Sequence, residues 1–114
     1  MIIVIDYGVG NTGSIISMLN KIGVDAIESY DPNIIQKGKK LILPGVGSFD
    51  KAMAELKNRD LIKVLHEEVI LKKKEVLGIC LGAQILGTAS EEGSLPGLGW
   101  IDMNVIKFHL SSLR

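Results

Sequence analysis

The chain has 114 residues, 46% of them apolar, which is room for one domain with a real core. Its 13 basic and 13 acidic residues cancel and aromatics make up 4%, so it offers neither the cationic face that nucleic acid or an anionic membrane attracts nor a stacking platform for bases. A single cysteine excludes an internal disulfide, the apolar start over 1–5 is too short for a signal peptide, and no stretch approaches the ~20 apolar residues of a membrane span; a cytoplasmic domain in a reducing compartment is expected.

In chain order, Ile2-Ile3-Val4-Ile5 is a continuous β-branched run, the pattern of a strand buried on both faces. Asn11 and Thr12 can cap a helix after it, with Ile15, Met18, Leu19 and Ile22 on one face and Gly23 as its C-terminal glycine. A second strand is predicted over 24–29. Asp31-Pro32 then reads as a cap followed by proline at the first helical position. Lys40-Leu41-Ile42-Leu43 is a third strand, ended by the loop Pro44-Gly45-Val46-Gly47. A long helix is predicted over 48–74, with Met53, Leu56, Leu61, Val64 and Leu65 as apolar positions and a restart at Asp60. Its end, Lys72-Lys73-Lys74, reads as a solvated terminus complementing the helix dipole. A fourth strand over 75–79, a helix over 81–88, a glycine-rich segment and an extended stretch over 100–108 complete the chain. Strand and helix alternate throughout, which predicts a doubly wound α/β domain with a mostly parallel sheet and flanking helices.

Gly78-Ile79-Cys80-Leu81-Gly82 matches the nucleophile-elbow pattern with cysteine as nucleophile. The elbow must turn sharply from strand to helix, and glycine two residues before and two after leaves room for that turn. Cys80 then stands at a helix N-terminus, where the dipole favours thiolate, and the Leu81 amide points where a tetrahedral oxyanion forms. The competing reading is a cysteine packed in a tight turn. The 44–47 loop ends another strand of the same sheet, so it faces Cys80 across the crevice at the carboxyl ends of the strands. Its glycines let backbone amides reach an anion, which makes the loop a natural second half of an oxyanion hole; an ordinary glycine turn is the alternative.

These segments together resemble the class I, triad-type glutamine amidotransferases, and among them the glutaminase subunits of imidazole glycerol phosphate synthase. The resemblance runs through Ile5-Asp6-Tyr7-Gly8-Val9-Gly10-Asn11, Leu43-Pro44-Gly45-Val46-Gly47-Ser48-Phe49, Gly78-Ile79-Cys80-Leu81-Gly82-Ala83-Gln84, Ser90-Glu91-Glu92-Gly93 and Gly97-Leu98-Gly99, nearly the whole chain. It implies a flavodoxin-like domain in which Cys80 attacks the glutamine side-chain amide and forms a thioester. Leu81 and Gly45 or Val46 would hold the oxyanion, and Gly47 and Gln84 would contact glutamine. Ammonia would pass to a (β/α)₈ cyclase partner in a heterodimer, with Gly8, Gly10 and Asn11 near that interface. No cofactor and no metal are implied.

The sequence departs from that family at several points. Ala83 stands where the family carries methionine, Lys73-Lys74-Glu75 where it often has Gly-Lys-Pro, and Ile85-Leu86-Gly87-Thr88-Ala89 is less bulky than the usual helix end. The family's catalytic histidine and glutamate come much later, in a His-x-Glu segment near the C-terminus that this chain, ending at Arg114, does not reach. Residues 1–114 are therefore expected to be the N-terminal portion of a single domain, its C-terminal part missing, without turnover of its own. Neither His66, on a flanking helix, nor His109 is expected to replace the base.

Three alternatives stand beside this reading. Gly8-Val9-Gly10-Asn11-Thr12-Gly13 matches a dinucleotide-binding fingerprint, with Glu28 or Asp31 as the acidic partner. A paralogous glutaminase subunit could supply ammonia for surface-sugar amidation, with which Ser48-Phe49-Asp50 and Gly99-Trp100-Ile101-Asp102 are compatible. An inactive interaction module would keep the fold with an apolar face and strand edge exposed.

Overall fold

The computed structural model describes residues 1–106. The elements are β1 (Ile2–Ile5), α1 (Thr12–Lys21), β2 (Ala26–Ser29), α2 (Pro32–Lys37), β3 (Lys40–Leu43), α3 (Phe49–Asn58), α4 (Leu61–His66), a π-helical turn (Glu67–Leu71), β4 (Glu75–Gly78), α5 (Leu81–Gln84), β5 (Ala89–Ser90) and β6 (Asn104–Val105). The main sheet has the order β2-β1-β3-β4, and every pairing in it is parallel. No helix among the described residues is long and apolar enough to cross a membrane.

The alternation of side chains along a strand explains the two layers. Ile3 and Ile5 of β1 and Leu41 and Leu43 of β3 point to the face packed by α2, α3, α4 and α5, where Ile35, Phe49, Leu56, Leu61, Leu65 and Ile85 fill the larger core. Val4 and Ile42 point the other way, into a smaller core with Leu19 of α1 and Ala26. Helices on both faces make the sheet doubly wound, and burial from both sides is why its central strands read as unbroken apolar runs. On the α1 side, β4 is uncovered among the described residues: Leu77, paired in register with Ile42, is 58% exposed at the edge of the sheet.

Local signals placed most helix starts. The Asn11 side chain accepts from the Ser14 amide at 3.1 Å, Asp31 from Asn33 at 2.9 Å and Ser48 from Lys51 at 3.1 Å. Gly23, at φ 81°, closes α1: its amide donates to Asn20 O and the Val24 amide to Leu19 O.

Several expectations are corrected. Met18 and Ile22 are exposed, because α1 covers only the β1–β2 side of the sheet and packs through Ile15, Ile16 and Leu19. The second strand begins at Ala26. The long helix does break at Asp60, which has φ 56°, but it ends at Leu71, and Lys74 is no solvated terminus. Its ammonium sits 3.6 Å from the buried Glu68 carboxylate and donates to the carbonyls of Ile35 (3.2 Å) and Gln36 (3.0 Å). The helix after Cys80 is one turn long, ending at Gln84. The next carbonyls are taken from outside: Ile85 O accepts from Leu98, Leu86 O from Trp100 and Ile101, and Gly87 O from Gly99. Of the stretch expected to be extended, Trp100–Asp102 is bent and only Asn104–Val105 pairs as a strand; Lys107, Phe108 and His109 lie outside the described residues.

Candidate active site

The turn at Cys80 is as sharp as an elbow requires. The Ile79 amide extends the ladder by one bond, to Leu43 O at 3.0 Å, and the next residue, Cys80, takes φ 53° and ψ −120°. Positive φ at a residue with a Cβ costs on the order of 1–3 kcal/mol and persists only where the surroundings impose it. Here they do. The Ala83 amide bonds Cys80 O at 2.9 Å and the Gly82 amide bonds Ile79 O at 2.9 Å. A Cβ on Gly78 would lie 2.7 Å from Ala83 Cα, and one on Gly82 would run into the Leu43 carbonyl oxygen. Both flanking glycines are steric requirements of the turn, and the cysteine it presents is exposed.

The 44–47 loop meets this elbow directly. The Leu81 amide donates to Gly45 O at 3.1 Å, and a Cβ on Gly45 would be 2.9 Å from the Gly82 nitrogen. From below, the Tyr7 hydroxyl donates to Pro44 O, and Tyr7 is fully buried. That burial pushes the Tyr7 phenol up, so it stays a donor. Beyond Gly45 the loop turns outward: Val46 is 61% exposed and Gly47 takes φ 100°, which favours glycine. The Val46 and Gly47 amides have no hydrogen-bond partner among the described residues, whereas the Leu81 amide is engaged by Gly45 O. A Cβ on Gly47 would meet nothing within 4 Å, so its glycine serves conformation and the space beside it is open.

Gln84 ends α5, half-buried, its amide 3.3 Å from Cys80 O. The expected dipole assistance is limited by the length of α5, which is one turn instead of two. The β1–α1 loop reaches the site through Gly10, at φ 105°, whose missing Cβ would lie 3.2 Å from the Gly45 nitrogen. Gly8 is placed differently: the Arg59 guanidinium fills its open side, 2.8 Å from where a Cβ would be, and Arg59 also pairs with Glu55 at 3.3 Å and stacks over Tyr30 at 5.6 Å. Asn11 is spent as a helix cap. These contacts correct the dinucleotide reading: the open sides of Gly8 and Gly10 face protein, and the Glu28 carboxylate accepts from the Thr12 hydroxyl.

His66 does not join Cys80. It lines a cavity of about 590 Å³ with Lys63, Leu98 and Trp100, and Cys80 is not among the residues around that cavity. Among the described residues no three His, Cys, Asp or Glu side chains gather as a metal site. Sequence reasoning assigned no role of their own to Tyr7, Asp50 and Arg59. Tyr7 had one signal, a lone aromatic directly after a buried strand. Asp50 had none: its carboxylate accepts from the amides of Ser94 (2.9 and 2.8 Å) and Leu95 (2.8 Å), more than forty residues away.

The family model described as "Glutamine amidotransferase class-I" matches residues 3–109. The chain is 53% identical over 108 residues to the imidazole glycerol phosphate synthase subunit HisH 2 of Pseudomonas aeruginosa, covering 95% of this chain and 54% of that protein. It is 54% identical over 112 residues to the protein of the same description from Methanococcus maripaludis, covering 98% of this chain and 55% of that one. A solved "Crystal structure of glutamine amidotransferase" superposes with a TM-score of 0.72 at 19% identity, covering 91% of this chain and 55% of that chain, a likeness of fold. The chain spans about half the length of the curated relatives it matches. With its cysteine elbow and the loop that meets it, this chain belongs to the class-I glutamine amidotransferase family.

Proposed function

We propose that this chain carries the nucleophile and the oxyanion donors of a glutaminase subunit of imidazole glycerol phosphate synthase. The observation that carries the reading is Cys80, held exposed at φ 53° beside a glycine loop bonded to the next amide. In the proposed reaction the Cys80 thiolate adds to the glutamine side-chain carbonyl carbon, and the carbonyl oxygen becomes an oxyanion. That oxygen takes the place of Gly45 O at the Leu81 amide, and Val46 supplies a second donor as the loop turns. Collapse breaks the carbon–nitrogen bond, the nitrogen leaves as ammonia after gaining a proton, and a γ-glutamyl thioester remains on Cys80. Water then cleaves the thioester to glutamate and restores the thiol. Gly47 and Gln84 contact the substrate in this scheme.

The ammonia would be used by a (β/α)₈ cyclase partner in the cytoplasm, docked over the β1–α1 loop at Gly8, Gly10 and Asn11. The names of the relatives support this histidine-pathway assignment over surface-sugar amidation. The scheme also needs a general base, and His66, the one histidine among the described residues, lines a cavity that Cys80 does not border. We therefore expect the 114-residue chain alone to bind and be acylated without sustained turnover. The test is covalent labelling with a chloroketone analogue of glutamine, read by peptide mass spectrometry. One adduct on Cys80, lost in Cys80→Ser, is expected; labelling spread over lysines or histidines instead would contradict the proposal.

A further inference from the structure

The Asp50 carboxylate is held by two backbone amides from a distant segment of the chain. Its Oδ1 accepts from Ser94 at 2.9 Å and Leu95 at 2.8 Å, and its Oδ2 accepts from Ser94 at 2.8 Å. The fit is close, since a Cβ on Gly93 would run into Oδ1. Amides donating to a carboxylate favour its charged form, and they hold the Asp50 carboxyl below the usual aspartate range. Asp50 stands in the first turn of α3, two residues after its cap Ser48 and three after Gly47. The segment it grips is the one that follows the elbow: Gly97 N bonds Thr88 O at 2.8 Å and Leu98 N bonds Ile85 O at 2.8 Å. The 44–50 stretch is thus tied at both ends, by Tyr7 at Pro44 and by Asp50 beyond Gly47. Between those ties, Gly45 O accepts from Leu81 and Ser48 accepts from the amides of Lys51 and Ala52, while the Val46 and Gly47 amides have no hydrogen-bond partner among the described residues.

We propose that Asp50 is a positioning residue for the oxyanion loop, fixing the 46–48 backbone relative to the Cys80 elbow by gripping the amides of Ser94 and Leu95. The inference rests on the glutaminase reading and deepens it. Asp50 touches no reacting atom; it sets where the Val46 and Gly47 amides stand. Its removal should spare the intrinsic reactivity of the exposed thiol and weaken the reaction that depends on oxyanion placement.

The experiment compares the native chain with Asp50→Ala and Asp50→Asn. Cys80 alkylation is timed with iodoacetamide and with the glutamine chloroketone, and amide hydrogen exchange is followed over 46–48 and 93–95. Asp50→Ala should speed exchange in both segments and lower the chloroketone rate by about tenfold with the iodoacetamide rate unchanged, the scale of losing a charge-assisted hydrogen-bond set. Asp50→Asn, which keeps one acceptor oxygen, should fall between. Faster exchange over 93–95 with an unaltered ratio of the two rates overturns the proposal and leaves Asp50 a purely structural tie. Unchanged exchange overturns it as well. Loss of both rates together, in both variants, places the effect on the thiol and also overturns it. If the native chain shows no preference for the glutamine-shaped reagent, the glutaminase reading itself fails and this inference with it, an outcome visible before any substitution is made.

Discussion

The Leu81 amide donates to the carbonyl oxygen of Gly45 at 3.1 Å, so the residue after the nucleophile is bound to the loop that faces it. This bond joins β4 and its elbow to the end of β3. It also holds the Leu81 donor in reserve, because an oxyanion can use it only by displacing Gly45 O. The backbone around Gly45 has little freedom elsewhere, with Tyr7 Oη, Gly82 N and Leu81 Cβ all within 3.1 Å of where its Cβ would be.

Gly82→Ala is expected to be the most damaging single-methyl change near the site. The added Cβ would collide with the backbone oxygen of Leu43, which cannot rotate away from its ladder. A loss of more than about 3 kcal/mol, or failure to fold, is expected. Gly23→Ala is the comparator: it also has positive φ, at 81°, but meets nothing within 4 Å, so about 1 kcal/mol is expected from conformation alone. Urea unfolding of the two variants measures the difference.

Cys80→Gly should stabilise the fold relative to Cys80→Ala. Both remove the thiol, but only glycine adopts φ 53° with ψ −120° without strain. A gain of about 1 kcal/mol over Cys80→Ala is expected in urea unfolding. Equal stabilities would mean that the elbow stores no strain at Cys80.

Tyr7→Phe leaves the buried Pro44 carbonyl without its hydroxyl donor and should cost about 1–2 kcal/mol. Tyr7 also shapes the alkaline limb. Burial raises its folded pKa above the ordinary value of about 10, so its contribution is fully present below that pH. As the pH rises further, the unfolded chain ionises its phenol while the folded chain does not, and stability falls. Stability measured from pH 8 upward should therefore decline less steeply beyond about 10 in Tyr7→Phe than in the native chain.

Glu68 is buried, and its carboxylate lies 3.2 Å from Lys72 and 3.6 Å from Lys74. Lys74→Met removes the inner partner and unties the Ile35 and Gln36 carbonyls, leaving a buried charge held by one exposed lysine. A loss of about 2–3 kcal/mol is expected. The double variant with Glu68→Met should recover most of it, since the charge left uncompensated is then gone. Thermal unfolding of the two single variants and the double variant closes that cycle.

The contrast between these residues shows what was legible in the chain. Ile2-Ile3-Val4-Ile5 and Lys40-Leu41-Ile42-Leu43 announced central parallel strands because burial on both faces removes the polar half of the pattern. Asn11, Asp31 and Ser48 were readable as caps because a cap bonds an amide two or three residues away. The elbow was readable because Gly78 and Gly82 answer to a turn confined to five residues. What was hidden depends on distant chain. The length of α5 is decided by residues 98–101, which take the carbonyls of Ile85, Leu86 and Gly87. Lys74 looked solvated until α2 supplied two carbonyls for it. Met18 and Ile22 fit a helical stripe, but α1 reaches only part of the sheet, so they stay exposed. The engagement of the Leu81 amide by Gly45 is likewise a contact between two separate strand ends.

The central claim is that Cys80 is a nucleophile addressed to glutamine, placed by its elbow against the 44–47 loop. Its most direct measurement is the rate of Cys80 alkylation by the glutamine chloroketone at increasing glutamine concentration, with iodoacetamide as the reference reagent. The account predicts saturable slowing of the chloroketone reaction by L-glutamine and not by D-glutamine. A chloroketone rate indifferent to L-glutamine, or equal slowing by both enantiomers, would contradict it.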